Sequence, residues 1–209
     1  MKLATTAFAD GGVIPAEFAF CAIDPAAHAR LSANRNPDFV WGELPAGTRS
    51  LVLLCHDPDV PSRGDDVNKE GRTVAASLVR VDFFHWVLVD LPADAAPIAR
   101  GEFSDGVTAR GKPGPNAPRG ARQGINDYTG WFAGDKEMAG NYFGYDGPCP
   151  PWNDELAHRY VFTLMALDVA RLPVAGIFKG ADVRSAAAAH VLGTASVSGR
   201  YALNPKVRL

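Results

Sequence analysis

Three short stretches bring together residue types that can do chemistry. In Cys55-His56-Asp57-Pro58-Asp59-Val60-Pro61 two carboxylates follow an apolar run, so Asp57 and Asp59 can both stand at the rim of a sheet. Proline between and after them fixes φ and stiffens the turn. Phe83-Phe84-His85-Trp86-Val87 embeds a histidine in an aromatic stretch. Tyr145-Asp146-Gly147-Pro148-Cys149-Pro150-Pro151 is followed by His158-Arg159-Tyr160. There Gly147 permits a close backbone approach, the prolines make a stiff wall poor in N–H groups, and His158 opens a strand. Two histidines and two carboxylates meeting in one cleft would suit a metal held by two histidines and a carboxylate, or a carboxylate general base. Taken singly, each stretch also has an ordinary structural reading: an Asp-Pro turn, a core histidine, a rigid loop.

The wider sequence favours binding over catalysis. No nucleophile elbow, Gly-rich phosphate loop or metal-spacing motif accompanies these residues, and nothing would activate Ser62. Asp66, Asn68 and Glu70 have the start of a calcium loop, but the twelfth position is Ser77 rather than Glu, so the bidentate ligand is missing and a solvated turn is expected. Cys21, Cys55 and Cys149 fit neither a disulfide framework nor a zinc clip, and an odd count suits a reducing compartment. No cofactor and no metal are expected.

The elements that must position these groups are mainly strands. At ~150 residues per domain, 209 residues predict one domain over 1–209. Glycine and proline, 21 and 16 residues, exceed average usage and call for many turns. Met1 to Asn36 reads as a lead-in hairpin with an edge strand. Ser50 to His56 reads as a buried strand ended by Asp57-Pro58, and Phe83 to Leu91 and Arg159 to Asp168 as further strands. Arg63 to Asp82 is a polar, exposed excursion, and Ala93 to Pro151 a loop-rich centre of the kind that carries function. Ala181 to Leu192 predicts the one clear helix, with a last strand over Thr194 to Tyr201. Strands without βαβ alternation predict an antiparallel sandwich with few short helices and long loops gathered at one end.

Charge and hydropathy narrow the partners. A net charge of −2, with no basic run, excludes a phosphate-neutralising stripe, so no nucleic acid is expected. The longest aliphatic runs are far short of the ~20 residues of a membrane helix, no leader is visible at the N-terminus, and a soluble, cytoplasmic protein is expected.

The set and order of these motifs, D-P-D-x-P at Asp57 to Pro61, H-W-V at His85 to Val87, G-P-C-P-P at Gly147 to Pro151 and H-R-Y-V-F at His158 to Phe162, closely resembles the phosphatidylethanolamine-binding protein family in its bacterial, Raf kinase inhibitor-like branch. The resemblance continues through Ile14-Pro15, Asn34-Arg35-Asn36-Pro37, Trp41, Pro45-Ala46-Gly47-Thr48, Asn126-Asp127-Tyr128 and the ending from His190 to Tyr201. It implies a sandwich of two antiparallel sheets with a small preformed anion pocket at one end. Carried over by motif, the ligand-binding residues are Asp57, Asp59, His85, Gly147, Pro150, His158 and Tyr160. On that reading both histidines donate N–H bonds to phosphate or acetate oxygens while an aspartate holds a histidine's second nitrogen.

The stretches 63–82 and 131–140 read as insertions beside such a pocket, able to cover its mouth. The resemblance thus implies a binding protein for small anions or phosphorylated head groups, with a protein partner such as a kinase possible and a homodimer reasonable. The alternatives are a hydrolase or metal-dependent enzyme using the Asp/His cleft, and a protease or kinase inhibitor acting through surface loops.

Overall fold

The fold is organised by the apolar runs that cannot face water on either side. In the computed structural model, which describes Met1–Leu209, the strands are β1 (Lys2–Ala4), β2 (Gly12–Val13), β3 (Cys21–Asp24), β4 (His28–Leu31), β5 (Val40–Gly42), β6 (Ser50–Pro61), β7 (Arg80–Pro92), β8 (Arg122–Gln123), β9 (His158–Leu167) and β10 (Val191–Tyr201). The α-helices are α1 (Tyr128–Trp131) and α2 (Gly180–Ala187). Six strands form one sheet in the order β2-β10-β9-β6-β7-β8, antiparallel except for the parallel β2/β10 edge pair. β1/β5 and β3/β4 form separate antiparallel ribbons.

Alternation along the central strands divides the core in two. Leu51, Leu53 and Cys55 of β6, with Phe162, Leu164 and Ala166 of β9, face the larger core, which is closed by Phe18, Phe20, Phe39, Tyr142 and Tyr145 from the N-terminal segment and central loops. Val52, Leu54, Met165 and Leu167 face the other way and are covered by Leu172, Phe178 and by Val183 and Ala187 of α2. The mainly-β sandwich is therefore present with its second layer split into ribbons and loops. Such irregular backbone persists in the interior because buried side chains satisfy it. Asn36 accepts from the N–H groups of Phe103 and Ser104 and donates to the carbonyls of Pro37 and Ala99.

Several expected boundaries move for identifiable reasons. The helix expected over Ala181 to Leu192 stops at Ala187, because Val191 already pairs with Leu167 and strand pairing overrides alanine's helical preference. β6 runs past Asp57-Pro58 to Pro61, held by Val60 opposite Val81. The polar segment Arg63 to Asp82 is more than an exposed excursion. β7 begins inside it at Arg80, Val74 is buried, and Asn153 gathers its loop by donating to the carbonyls of Asp66, Lys69 and Arg72 while accepting from Asn68 N–H.

Candidate functional site

Two slips in strand register aim the site's first groups. Cys55 lies opposite Trp86 and His56 opposite Phe84, so His85 has no opposite residue and is the extra residue of a β-bulge. His85 and Trp86 consequently both pack on the larger core, His85 against Tyr128 and Tyr160 and Trp86 against Tyr145. On β6 the pairing steps from Asp57/Phe83 to Val60/Val81, so that strand is bulged at Pro58-Asp59, where proline has no N–H to lose.

Each polar group is then tied down. His85 Nδ1 donates to the Asp146 carbonyl at 2.7 Å and Asp146 N–H donates back to the His85 carbonyl at 3.0 Å. The Asp146 carboxylate is itself buried, accepting from Asn34 and Asn126 at 2.7 Å each and pairing with Lys112 Nζ at 3.0 Å. Burial raises its pKa, with Lys112 and the two amides opposing.

His158, at the start of β9, donates from Nδ1 to Asp57 Oδ2 at 2.7 Å and from Nε2 to Asp154 Oδ2 at 3.1 Å. Arg80 grips the same Asp154 with two nitrogens at 2.6 and 3.0 Å and also donates to the carbonyls of Asp59 and Ala75. Arg80, Asp154, His158 and Asp57 thus form a buried chain of alternating charge. Burial disfavours charge on His158, but the carboxylates of Asp154 and Asp57 outweigh it and push its pKa up to about 9. His85 goes the other way, because burial dominates the pull of Asp57 and the Asp146 carbonyl and takes its pKa down to about 4. Tyr160 Oη is buried with no hydrogen-bond partner within 3.5 Å; Asp57 is close enough that its carboxylate, after burial, raises the Tyr160 pKa.

These groups line one cavity of about 490 Å³, a size ordinary for small-molecule sites. Asp57, His85, His158 and Tyr160, all fully buried, mark its floor, and Phe20, Phe83, Tyr128, Phe132 and Met138 its apolar walls. Leu31 and Trp131, both more than half exposed, stand at the mouth with Arg63. The stretches 63–82 and 131–140 supply Arg63, Gly64, Val67, Asn68, Trp131, Phe132 and Met138 to the lining.

Of the expected site residues, Asp57, His85, Pro150, His158 and Tyr160 line the cavity. Asp59 does not; its carboxylate holds Arg159 through Nε and Nη2 at 2.9 and 2.8 Å and through the backbone N–H. Gly147 sits behind the wall, its N–H on Asn34 Oδ1 and its carbonyl receiving the Tyr128 hydroxyl, and a Cβ there would collide with the Phe18 carbonyl. His158 was expected to donate to a ligand; in this structure both of its nitrogens are on carboxylates, Asp57 and Asp154. Arg80, Asp154 and Asp146 were not among the expected residues; the only trace of Asp154's role is its place four residues before His158.

The cysteine reading is also corrected. Cys21 and Cys149 form a disulfide with Cα atoms 4.9 Å apart and both line the cavity, while Cys55 is free and buried. The bond pins the proline loop to β3, alongside donation from Phe20 and Cys21 N–H to the Pro148 carbonyl. No helix is long and apolar enough to cross a membrane.

The pKa of His158 sets a stability window. A folded pKa of about 9 against the ordinary histidine value of 6.5 means the ring's contribution is complete below pH 6.5 and is lost as pH rises through 9. Urea denaturation should therefore show stability falling by a few kcal/mol, at up to ~1.4 kcal/mol for each pH unit, as the pH is raised across that interval. His158→Gln should remove that slope; the same slope in the variant would place its origin elsewhere.

Comparison with known proteins identifies the family. UPF0098 protein YbhB of Escherichia coli K12 is 30% identical over 201 residues, covering 96% of this chain and 99% of the relative. A UPF0098 protein of Methanothermobacter thermautotrophicus is 31% identical over 201 residues, covering 96% and 98%. The crystal structure of E. coli YbcL, described as a new member of the mammalian PEBP family, superposes with a TM-score of 0.67 at 23% identity, covering 96% of this chain and 97% of that one. The sequence pattern of the family described as phosphatidylethanolamine-binding protein matches residues 4–202, and with these relatives it places the chain in that family.

Proposed function

We propose that this chain is a binding protein whose cavity takes a small anion or a phosphorylated head group, with the ligand's apolar part against Phe20, Phe83, Phe132 and Met138. The observation that carries the reading is the floor: a buried Tyr160 hydroxyl with no partner within 3.5 Å, beside Asp57 and the Nε2 side of His85, at the bottom of an apolar-walled cavity. A buried hydroxyl left unpaired costs about 1–3 kcal/mol, and a ligand oxygen removes that cost. Catalysis is less well supported, because His158, Asp57, Asp154 and Arg80 are occupied with one another. The disulfide in the cavity wall favours an oxidising compartment over the cytoplasm.

Thermal denaturation with methyl phosphate tests the reading. A ligand at a hundredfold its Kd adds about 2.7 kcal/mol to the native state. Tyr160→Phe should leave the unliganded protein close to the parent in stability, because the lost hydroxyl makes no bond within 3.5 Å, and should cut the ligand-induced rise several-fold. An equal rise in parent and variant would remove Tyr160 from the site.

A further inference from the structure

The supply of hydrogen-bonding groups on the cavity floor is one-sided. His158 gives both N–H groups to Asp57 and Asp154. His85 gives its Nδ1–H to the Asp146 carbonyl, so the neutral ring turns a lone pair, not a hydrogen, to its free Nε2 side. Asp57 only accepts: Oδ1 takes the Asp59 N–H and Oδ2 the His158 N–H, and each oxygen keeps a second lone pair. The Tyr128 hydroxyl is committed to the Gly147 carbonyl, and Pro148, Pro150 and Pro151 have no N–H. That leaves Tyr160, whose hydroxyl lies beside Asp57 with no partner within 3.5 Å, as the floor's one uncommitted side-chain hydrogen against two acceptors.

Charge points the same way. Asp57 and Asp154 are matched by His158 and Arg80, and the further cation in the lining, Arg63, is exposed at the mouth, near Ser62 and Asn68 on the wall. A dianion without a hydrogen would set its oxygens against a carboxylate and an imidazole lone pair. A phosphoryl group that keeps one proton can donate it to Asp57 or to His85 Nε2 and accept from Tyr160.

We propose that this cavity selects a head group that brings its own proton, a monoanionic phosphate monoester or hydrogen phosphate species, and discriminates against fully deprotonated dianions. The inference rests on the anion-binding reading above and narrows it to a protonation state. Burial of His85 supports it by keeping that ring neutral at physiological pH, its pKa being about 4.

Isothermal titration of the intact protein with methyl phosphate and with sulfate from pH 5 to 8 tests it. A phosphate monoester loses its second proton near ~6, whereas sulfate carries no proton anywhere in this range. Methyl phosphate should bind with constant affinity at the acid end and weaken towards tenfold per pH unit above its own pKa, taking up close to one proton per site at pH 7. Sulfate should bind at least tenfold more weakly than methyl phosphate at pH 5.5. Were protonation of His85 the coupled event instead, sulfate would bind as tightly as methyl phosphate above pH 6 and weaken there with the same slope. That result, or methyl phosphate affinity unchanged up to pH 8, overturns the proton requirement and leaves anion binding standing. Binding of neither ion at any pH overturns both readings.

Discussion

Removing the Cys21–Cys149 disulfide, by reduction or as Cys21→Ala with Cys149→Ala, is expected to lower stability by about 4–5 kcal/mol. The two cysteines are 128 residues apart, so the bond closes most of the chain into one loop. Freeing a loop of that length returns about 5 kcal/mol of chain entropy to the unfolded state in the entropic account, the upper end of what disulfides supply. In the native state the change is local, because the Pro148 carbonyl still receives the N–H groups of Phe20 and Cys21 at 2.9 and 3.1 Å. The fold should thus survive while its denaturation midpoint drops sharply and the cavity wall at Cys149 and Pro150 loosens. Guanidinium titrations with and without reductant measure the difference. A loss under ~1 kcal/mol would mean that the bond is absent or that the unfolded chain is already held compact.

Arg80→Met should cost about 3–5 kcal/mol, the range for stripping one partner from a buried ion pair. The guanidinium side chain is about one-tenth exposed and Asp154 is sealed off, so the variant leaves a buried carboxylate with His158 as its remaining cation, and His158 also serves Asp57. The signature is non-additivity. Asp154→Asn alone deprives Arg80 of its partner, whereas the double variant removes both charges and should recover much of the combined loss, giving a coupling of at least ~2 kcal/mol in a double-mutant cycle. Simple addition of the two single losses would show that Arg80 and Asp154 do not act as a unit. Arg80 lies in the stretch that reads from its polarity as an exposed excursion, yet its ion pair makes that stretch part of the buried frame.

Much of the frame was legible because it rests on local pattern. The apolar run of β6 and the aromatic, β-branched run of β9 admit few other readings, and the order of D-P-D-x-P, H-W-V, G-P-C-P-P and H-R-Y identified the segments that meet at the cavity. What escaped depends on register and on long-range pairing. A one-residue slip opposite Cys55 turns His85 into a bulge residue beside Trp86, and no hydropathy period encodes that slip. Asp154 and Arg80 stand in polar, turn-rich stretches where a carboxylate or guanidinium looks solvated, and only the fold sets them 2.6 Å apart. Their pairing changes His158 from an expected anion donor into a fixed imidazolium that orients Asp57. The disulfide escaped for the same reason, since neither the odd count nor the spacing of the cysteines carries a signal for a pair 128 residues apart.

The most direct test is a crystal structure of the protein soaked in methyl phosphate at a pH near 5.5. The phosphoryl group should occupy the cavity floor with oxygens within hydrogen-bonding distance, ~2.6–3.2 Å, of Tyr160 Oη and of His85 Nε2 or Asp57, and with its methyl group turned towards Phe20 and Phe83. His158 should keep both carboxylate partners in the complex. Electron density for the phosphate only at the surface, with none on the floor at a concentration that saturates binding in solution, would contradict the assignment of this cavity as the binding site.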